Sequence, residues 1–165
     1  MLNRKCYEKG KQTMKRAEYC EYINQYKDHL YTVAYFILNN KMDAEDAAGN
    51  AILKGYEHID QLKNPRKFKT WMITITKNEA LKIKEKRLEL PGNEKMETMM
   101  EPVWDCHNEL WDIVQKLNEE YRLAVVMYYY NGLSIQDIAY VLDIPVGTVK
   151  SRLNRGRELL KKSLA

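Results

Sequence analysis

Apolar side chains recur every three or four positions through the first half of the chain. From Tyr22 onward this spacing predicts an amphipathic helix, which the sequence NNK ends. A second helix is predicted to begin at Asp43, whose carboxylate can cap backbone amides, and to continue toward Ile59. Pro65 marks a break before a third helix with basic and aromatic side chains. The β-branched run ITIT in this segment could suggest a strand, but no second strand candidate exists to pair with it, so the helix is favoured.

A different composition separates the two halves of the chain. The stretch LPGNEKMETMMEPVWDCHN carries two prolines, a glycine and an acidic bias, which is typical of a linker. Beyond it, Leu110 to Leu117 forms one amphipathic pattern, and Glu119 to Tyr130 is apolar on nearly every face, as a central buried helix would be. Ser134 can cap a third helix through the pattern SIQD, and Pro145 suits the first position of a fourth.

The patterns together predict an all-α protein of two small helical domains joined by a flexible acidic linker. The second domain is expected to hold four helices, of which the last two, joined by a tight turn, match a helix-turn-helix. The predicted divisions are a disordered basic extension (1–17), a first domain (18–87), the linker (88–108) and a second domain (109–165).

Charge is distributed unevenly along the chain. With 27 basic and 23 acidic residues the net charge is only +4, so any strong positive field must come from local clustering. Between Val146 and Lys162 there are six basic side chains against one acid, Glu158. The stretch from Pro91 to Glu109 has five acids against one lysine, which indicates different partners for the two segments.

Several classes of protein are disfavoured. The sequence contains no run of about 18 apolar residues and no apolar signal-peptide core, so a cytoplasmic protein with no membrane insertion is expected. The three cysteines, Cys6, Cys20 and Cys106, are widely spaced and read as free thiols. Cys106 and His107 are adjacent and therefore poor ligands for one ion, and no phosphate-binding loop or nucleophile motif is present. We expect no metal, no cofactor and no enzymatic activity.

The outward face of the last helix is the strongest candidate for a binding surface. Its predicted buried stripe consists of Val146, Val149, Leu153 and Leu160. The opposite side carries Gly147, Lys150, Ser151 and Asn154, with Arg152, Arg155 and Arg157 around them. Small residues let a helix sit deep in the major groove of DNA, while lysine and asparagine reach base edges and arginines hold phosphates. A solvated basic helix is the alternative, but the capped helix and tight turn before it favour nucleic acid.

Two long stretches resemble a known family. The segment from Leu117 to Lys162 resembles the fourth domain of sigma-70 family initiation factors, specifically the small extracytoplasmic-function (ECF) group. The segment from Asp28 to Arg87 is similar to their second domain. It includes the acidic turn DAED and a signature formed by Phe68, Trp71, Ile75 and Asn78. The resemblance implies an alternative sigma factor that directs the RNA polymerase core to promoters and assists DNA melting.

The resemblance implies a polymerase-binding site at the start of the second helix. In the family this acidic helix start binds the coiled coil of the largest core subunit, and the matching positions are Asp43, Glu45, Asp46 and Asn50. Negative charge that meets a basic surface steers docking. The chain departs from the family at Gly49 and Asn50, where a glutamine and an acid are usual, so weaker or differently shaped core binding is expected. Asp43 and its neighbours could also merely cap their helix.

The third helix corresponds to the family's minus-ten recognition and melting region. The positions assigned to it are Lys67, Phe68, Lys69, Trp71, Lys77, Asn78 and Lys82. Strand opening requires contacts to unstacked bases and neutralisation of strand phosphates. The alternative is that the two aromatic residues belong to the core. We favour the core for Trp71, and DNA for Lys67, Lys69 and Asn78.

The helix-turn-helix corresponds to the family's minus-thirty-five reader. The positions assigned to it are Gly147, Thr148, Lys150, Ser151, Arg152, Asn154 and Arg155. Of these, Lys150, Ser151 and Asn154 are assigned to base edges, and Arg152 and Arg155 mainly to phosphates. The resemblance further implies that this domain docks on the flap of the second-largest polymerase subunit, that the acidic linker threads toward the active-site cleft, and that an anti-sigma factor binds the protein.

Two other functions are compatible with parts of the pattern. A stand-alone helix-turn-helix regulator would have a similar last helix but needs a ligand-binding or phosphoacceptor module, which the basic helical first domain does not resemble. A protein that binds polymerase without promoter specificity would be compatible with the departures at Gly49 and Asn50.

Overall fold

The described part of the chain is helical throughout. The computed structural model describes residues 14–90 and 109–165, and these contain helices and short turns but no strand. The predicted all-α class is therefore confirmed. No helix within these two ranges is both long enough and apolar enough to cross a membrane. The proposed linker lies almost wholly outside the described residues, as do Cys6, Cys106 and His107.

Three helices form the first half. They are α1 (Arg16–Leu38), α2 (Lys41–Glu57) and α3 (Phe68–Glu89), with short 3₁₀ turns at Ile59–Gln61 and Pro65–Lys67. Helix α1 begins earlier than Tyr22, where the apolar pattern starts. Helix α2 begins before Asp43, because the Asn40 side chain accepts a hydrogen bond from the Asp43 amide at 3.0 Å. The prediction that Asp43 caps this helix was wrong. The ITIT run lies inside α3, as expected.

Four helices form the second half: α4 (Glu109–Gln115), α5 (Glu119–Val125), α6 (Ile135–Leu142) and α7 (Val146–Leu164). A π-helical turn, Val126–Tyr130, continues α5, where the sequence predicted a regular helix. The Asn131 amide accordingly donates to the carbonyl of Val126, five residues back, at 3.0 Å. Ser134 caps α6 as predicted, since its hydroxyl oxygen accepts from the Asp137 amide at 3.1 Å.

Two glycines show how closely the helices pack. A Cβ atom on Gly156 of α7 would lie 2.7 Å from a methyl carbon of Val125, so α5 and α7 can cross at this distance only because the position lacks a side chain. On α2, a Cβ at Gly55 would lie 2.5 Å from the sulfur of Met72 and 2.6 Å from the hydroxyl of Tyr19. Buried side chains from both halves line one continuous apolar core.

The two halves contact each other directly. Trp111 of α4 packs on Phe36 of α1, with ring centroids 5.5 Å apart. Tyr130 packs on His29 at 5.1 Å and on Trp111 at 5.5 Å. Asn131, which is fully buried, donates from its side-chain amide to the carbonyl of His29 at 3.3 Å. The second half therefore covers one side of α1 and the adjoining part of α3.

Candidate nucleic-acid interface

The outward face of α7 is formed by small and polar residues. Val149, Leu153 and Gly156 are buried against the rest of the second half, so the other side of the helix faces outward. The predicted groove-facing residues Gly147, Lys150, Ser151 and Asn154 are all exposed on that side. Thr148 is half-buried. The Ser151 hydroxyl donates to the carbonyl of Gly147 at 3.1 Å, which holds the side chain close to the helix backbone.

A tight turn fixes the angle between α6 and α7. Asp143 adopts the left-handed conformation with φ of 53° and ends α6. The Ile144 amide then donates to the carbonyl of Ala139 at 3.1 Å. Pro145 precedes the first helical residue of α7, Val146, which is 37% exposed rather than part of the buried stripe. Two short helices joined in this way, with the second one solvent-facing, form a helix-turn-helix.

The arginines of α7 differ in how far they are free to bind a ligand. Arg152 forms an ion pair with Glu120 of α5 at 3.1 Å, and its side chain is largely covered. Arg155 pairs at 3.0 Å with Glu158, one turn further along the same helix, and both side chains are mostly exposed. Exposed pairs of this kind are weak and exchange readily with other partners. Arg155 is therefore available to a phosphate, whereas Arg152 ties α7 to α5 in this conformation.

The aromatic residues at the start of α3 lie in or against the core. Phe68 is 1% exposed and has the rings of Tyr19, Tyr22 and Tyr26 around it. Trp71 is half-buried and packs on Phe68 with ring centroids 6.2 Å apart. In this conformation the Phe68 ring has no surface to offer a base. Asn78, further along the helix, is exposed.

Three predicted minus-ten lysines contact the second half of the molecule. The Lys67 ammonium pairs with Asp137 at 2.8 Å, and that of Lys77 donates to the carbonyl of Val141 at 2.7 Å. Lys69 donates to the carbonyl of Asn131. Burial lowers the pKa of Lys69 and the pKa of Lys77 below the ordinary lysine value, and nearby Asp143 partly offsets the effect at Lys77.

Asp137 holds its charge despite partial burial. Burial alone would raise the pKa of the Asp137 carboxyl, but hydrogen bonds from Lys67 and Ser134 outweigh it, and the pKa lies below its ordinary value. One carboxylate oxygen accepts from Lys67, while the other accepts from the Ser134 hydroxyl at 2.8 Å. The same carboxylate thus joins the capped end of α6 to α3.

Lys82 belongs to a separate cluster within the first half. Its ammonium lies 3.0 Å from the buried carboxylate of Glu79, which Lys54 of α2 also contacts at 2.5 Å. Burial would raise the pKa of Glu79, but the two lysine hydrogen bonds outweigh it, and the pKa is lowered. The Lys82 side chain remains more than half exposed, so it can also face solvent or a ligand.

The candidate polymerase-binding residues on α2 divide into two groups. Glu45, Asp46 and Asn50 are exposed. Asp43 is instead partly covered and forms an ion pair with Arg87 of α3. Sequence reasoning missed two apolar side chains on the exposed side of this helix, Met42 at 74% and Leu53 at 66% exposure. The sequence alone could have indicated their exposure, because their helical spacing places them on the side of α2 opposite the buried alanines.

Among the described residues no group of three or more His, Cys, Asp or Glu side chains could hold a metal ion. The outward residues of α7 form one continuous face, whereas Lys67, Lys69 and Lys77 contact acceptors of the second half. These features define an all-helical protein of two domains whose second domain presents a helix-turn-helix.

Comparisons with known proteins agree with this description. The family model described as sigma-70 region 2 matches residues 22–87, and the model described as sigma-70, region 4 matches residues 107–160. The chain is 33% identical to the ECF RNA polymerase sigma factor SigW of Bacillus subtilis (strain 168) over 165 residues, covering 88% of each protein. It is 26% identical to the RNA polymerase sigma factor SigV of the same organism, covering 94% of this chain and 96% of SigV.

The fold also matches solved structures. A sigma factor RpoE from Bartonella quintana, crystallised with the anti-sigma factor NepR, superposes with a TM-score of 0.76 at 21% identity, over 89% of this chain and 96% of that one. CnrH, solved with the cytosolic domain of CnrY, gives a TM-score of 0.63 at 17% identity, over 91% of this chain and 89% of that one.

The two family models and the 33% identity to SigW show that the chain belongs to the ECF sigma factors of the sigma-70 family. These are the alternative sigma factors that direct RNA polymerase to promoters. The resemblance seen in the sequence is confirmed.

Proposed function

We propose that α7 reads the minus-thirty-five element of a promoter from the major groove. The observation that carries this proposal is the exposure of Lys150, Ser151 and Asn154 on one side of α7, opposite the buried Val149 and Leu153. Lysine and asparagine side chains match the acceptor and donor patterns of guanine and adenine edges. Gly147 and Thr148 lie in the first turn, where a recognition helix comes nearest to the bases.

Phosphate contacts position this helix on the duplex. Arg155 is exposed and can bind a phosphate directly. Arg152 would have to release Glu120 first, so we assign it a smaller part in DNA binding than the sequence indicated.

Helix α3 is assigned to the minus-ten element and to strand melting. Lys67, Lys69, Lys77 and Lys82 supply positive charge for a separated strand, and Asn78 is exposed between them. The buried Phe68 contributes by holding the start of α3 in place rather than by touching a base. Trp71 packs against Phe68 and has the same structural role.

The exposed face of α2 is assigned to the RNA polymerase core. Glu45, Asp46 and Asn50 offer acceptors to the coiled coil of the largest subunit, and the exposed Met42 and Leu53 add apolar area to the same helix. Asp43 is an internal ion-pair partner of Arg87 and a weaker candidate for this contact. The helix-turn-helix domain is assigned to the flap of the second-largest subunit.

Regulation by an anti-sigma factor is part of the proposal. The RpoE structure includes NepR, which is named as an anti-sigma factor, and the CnrH structure includes the cytosolic domain of CnrY. This chain shares the fold of RpoE and CnrH.

We further propose that the protein acts beside the polymerase in the cytoplasm and carries out no chemical step itself, since nucleotide addition belongs to the polymerase.

Transcription by purified core polymerase, with and without the chain, on a library of promoter fragments tests the function. Sequencing of the transcripts should reveal start sites that appear only when the chain is present and that share two upstream motifs. A matched reaction with Glu45→Lys and Asp46→Lys should lose these starts while the protein still binds DNA. Starts that are identical with and without the chain would refute the proposed function.

A further inference from the structure

One arginine of α7 is held by a carboxylate of the neighbouring helix. The guanidinium of Arg152 pairs with Glu120, in the first turn of α5, at 3.1 Å. The Arg152 side chain is 25% exposed and the Glu120 side chain 46% exposed. Both groups therefore still face solvent, so a phosphate that approaches α7 can compete with the carboxylate for the guanidinium.

The backbone crossing of α5 and α7, rather than the ion pair, fixes the distance between these two side chains. Gly156 lies one helical turn after Arg152, and Tyr121 follows Glu120 directly. A Cβ added at Gly156 would lie only 3.7 Å from the carbonyl oxygen of Tyr121. Loss of the Glu120 carboxylate should therefore release the guanidinium without separating the two helices.

A second arginine lies beside Arg152 on α7. Arg155 is three residues further along, and residues three apart are neighbours on the surface of a helix. The partner of Arg155 is Glu158, and both side chains of that pair are more exposed than those of Arg152 and Glu120. The two arginines thus offer two phosphate-binding groups side by side, of which Arg152 is the less available.

We propose that Glu120 is a positioning residue that limits the phosphate contacts of α7, because it holds Arg152 against α5 and competes with DNA for it. This inference rests on the assignment of α7 to promoter DNA. Carboxylates and phosphates offer the same kind of acceptor to a guanidinium, so only one of them can engage it fully. Phosphate contacts carry no sequence information. Glu120 therefore lowers the affinity for every duplex alike and leaves a larger share of binding to the base contacts of Lys150 and Asn154.

The role of Glu120 is tested by titrating a fluorescent duplex of the identified promoter with the full-length chain at four or more salt concentrations. Glu120→Gln should bind about two- to fivefold more tightly at low salt, the factor expected when one partly exposed ion pair no longer competes. The slope of log affinity against log salt should become steeper by up to about one unit, since one more phosphate is neutralised. An affinity and a slope equal to those of the unaltered chain would overturn the proposal.

Asp143→Asn is the matched control for the lost negative charge. Asp143 is exposed in the turn just before α7, and the ion pairs described for α7 do not involve it. Asparagine also tolerates the left-handed backbone at this position. This variant should change the affinity and the slope less than Glu120→Gln does. An equal gain in both variants would show that general repulsion between acids and DNA limits binding, and the proposal would fail.

A double variant shows whether Glu120 acts through Arg152. In an Arg152→Ala background, Glu120→Gln should no longer tighten binding or steepen the slope, because no guanidinium remains to be released. Loosening of α5 would instead change binding in both backgrounds. A gain that persists in the double variant would therefore contradict the proposed role.

A scrambled duplex of the same base composition separates this inference from the proposed function. Glu120→Gln should gain the same factor on both duplexes, since the added contact is to phosphate. A gain on the promoter alone would assign Arg152 to a base and overturn the inference. Equal binding of the unaltered chain to both duplexes would instead refute the proposed reading of the minus-thirty-five element, while the effect of Glu120 on phosphate contacts would stand.

Discussion

At the scale of single residues, the outward face of α7 separates side chains that would read bases from those that would hold the backbone of DNA. Lys150→Ala and Asn154→Ala are each expected to cost about 1–3 kcal/mol of discrimination at a particular base pair, since each removes a contact to a base edge. Binding to a panel of single-base variants of the identified promoter measures this loss. An equal loss on every sequence would show that the residue touches no base.

Arg155 should act differently from these two residues. Its removal by Arg155→Ala is expected to weaken binding evenly across sequences and to flatten the slope of log affinity against log salt by about one unit. Arg152→Ala is the comparison, because that guanidinium is already paired with Glu120 and should change the slope less. Titrations at four or more salt concentrations give both slopes, and an unchanged slope for Arg155→Ala would remove it from the phosphate-binding set.

At the scale of the helices, two glycines in similar local structure should respond in opposite ways to the same substitution. Gly156→Ala is expected to destabilise the fold by about 1–3 kcal/mol, because the added methyl would lie 2.7 Å from a carbon of Val125. Gly49→Ala is expected to stabilise it by about 0.5–1 kcal/mol, since the position is helical and no atom lies within 4 Å of the new carbon.

Urea titration followed by circular dichroism measures both changes in the free energy of unfolding. The two variants add the same methyl group within a helix, so each controls for the other. A stabilising Gly156→Ala would contradict the close crossing of α5 and α7.

Much of the fold within each helix could be predicted from the sequence, because it depends on interactions between residues close together along the chain. Capping by Ser134 and the turn before α7 depend on residues only a few positions apart.

At the scale of the whole molecule, sequence reasoning was least informative. The apolar pattern shows which side of each helix is buried, but not which helix of the other domain covers it. Lys67 and Asp137 are 70 positions apart, and Lys69 meets a backbone carbonyl that leaves no mark in the sequence. The π turn before Asn131 likewise follows from tertiary packing rather than from a local preference. The engagement of the α3 lysines could therefore be found only from the structure.

The ion pairs of Lys67 and Lys84 with the second half predict an unusual salt dependence of DNA binding. Salt weakens the contacts between protein and DNA, but it also weakens the ion pairs of Lys67 and Lys84 that join the two halves. As salt rises, these lysines should be released to DNA in more of the molecules, so the apparent log-affinity slope of the unaltered protein should be shallower than the slope of a variant whose two halves are separated. Trp111→Ala provides that variant without changing any charge, because Trp111 packs on Phe36 across the interface.

The log-affinity slopes of the unaltered protein and of Trp111→Ala, measured for the same single-stranded oligonucleotide, show whether the ion pairs between the two halves compete with DNA. A steeper slope for Trp111→Ala, together with tighter binding at low salt, is expected if loss of the contact with Phe36 separates the two halves before salt is added. Circular dichroism must show that the variant retains its helices. Identical slopes would mean that the ion pairs between the domains do not compete with DNA. The Lys67 and Lys84 contacts would then be incidental to promoter binding, although the apolar contacts could still hold the two domains together.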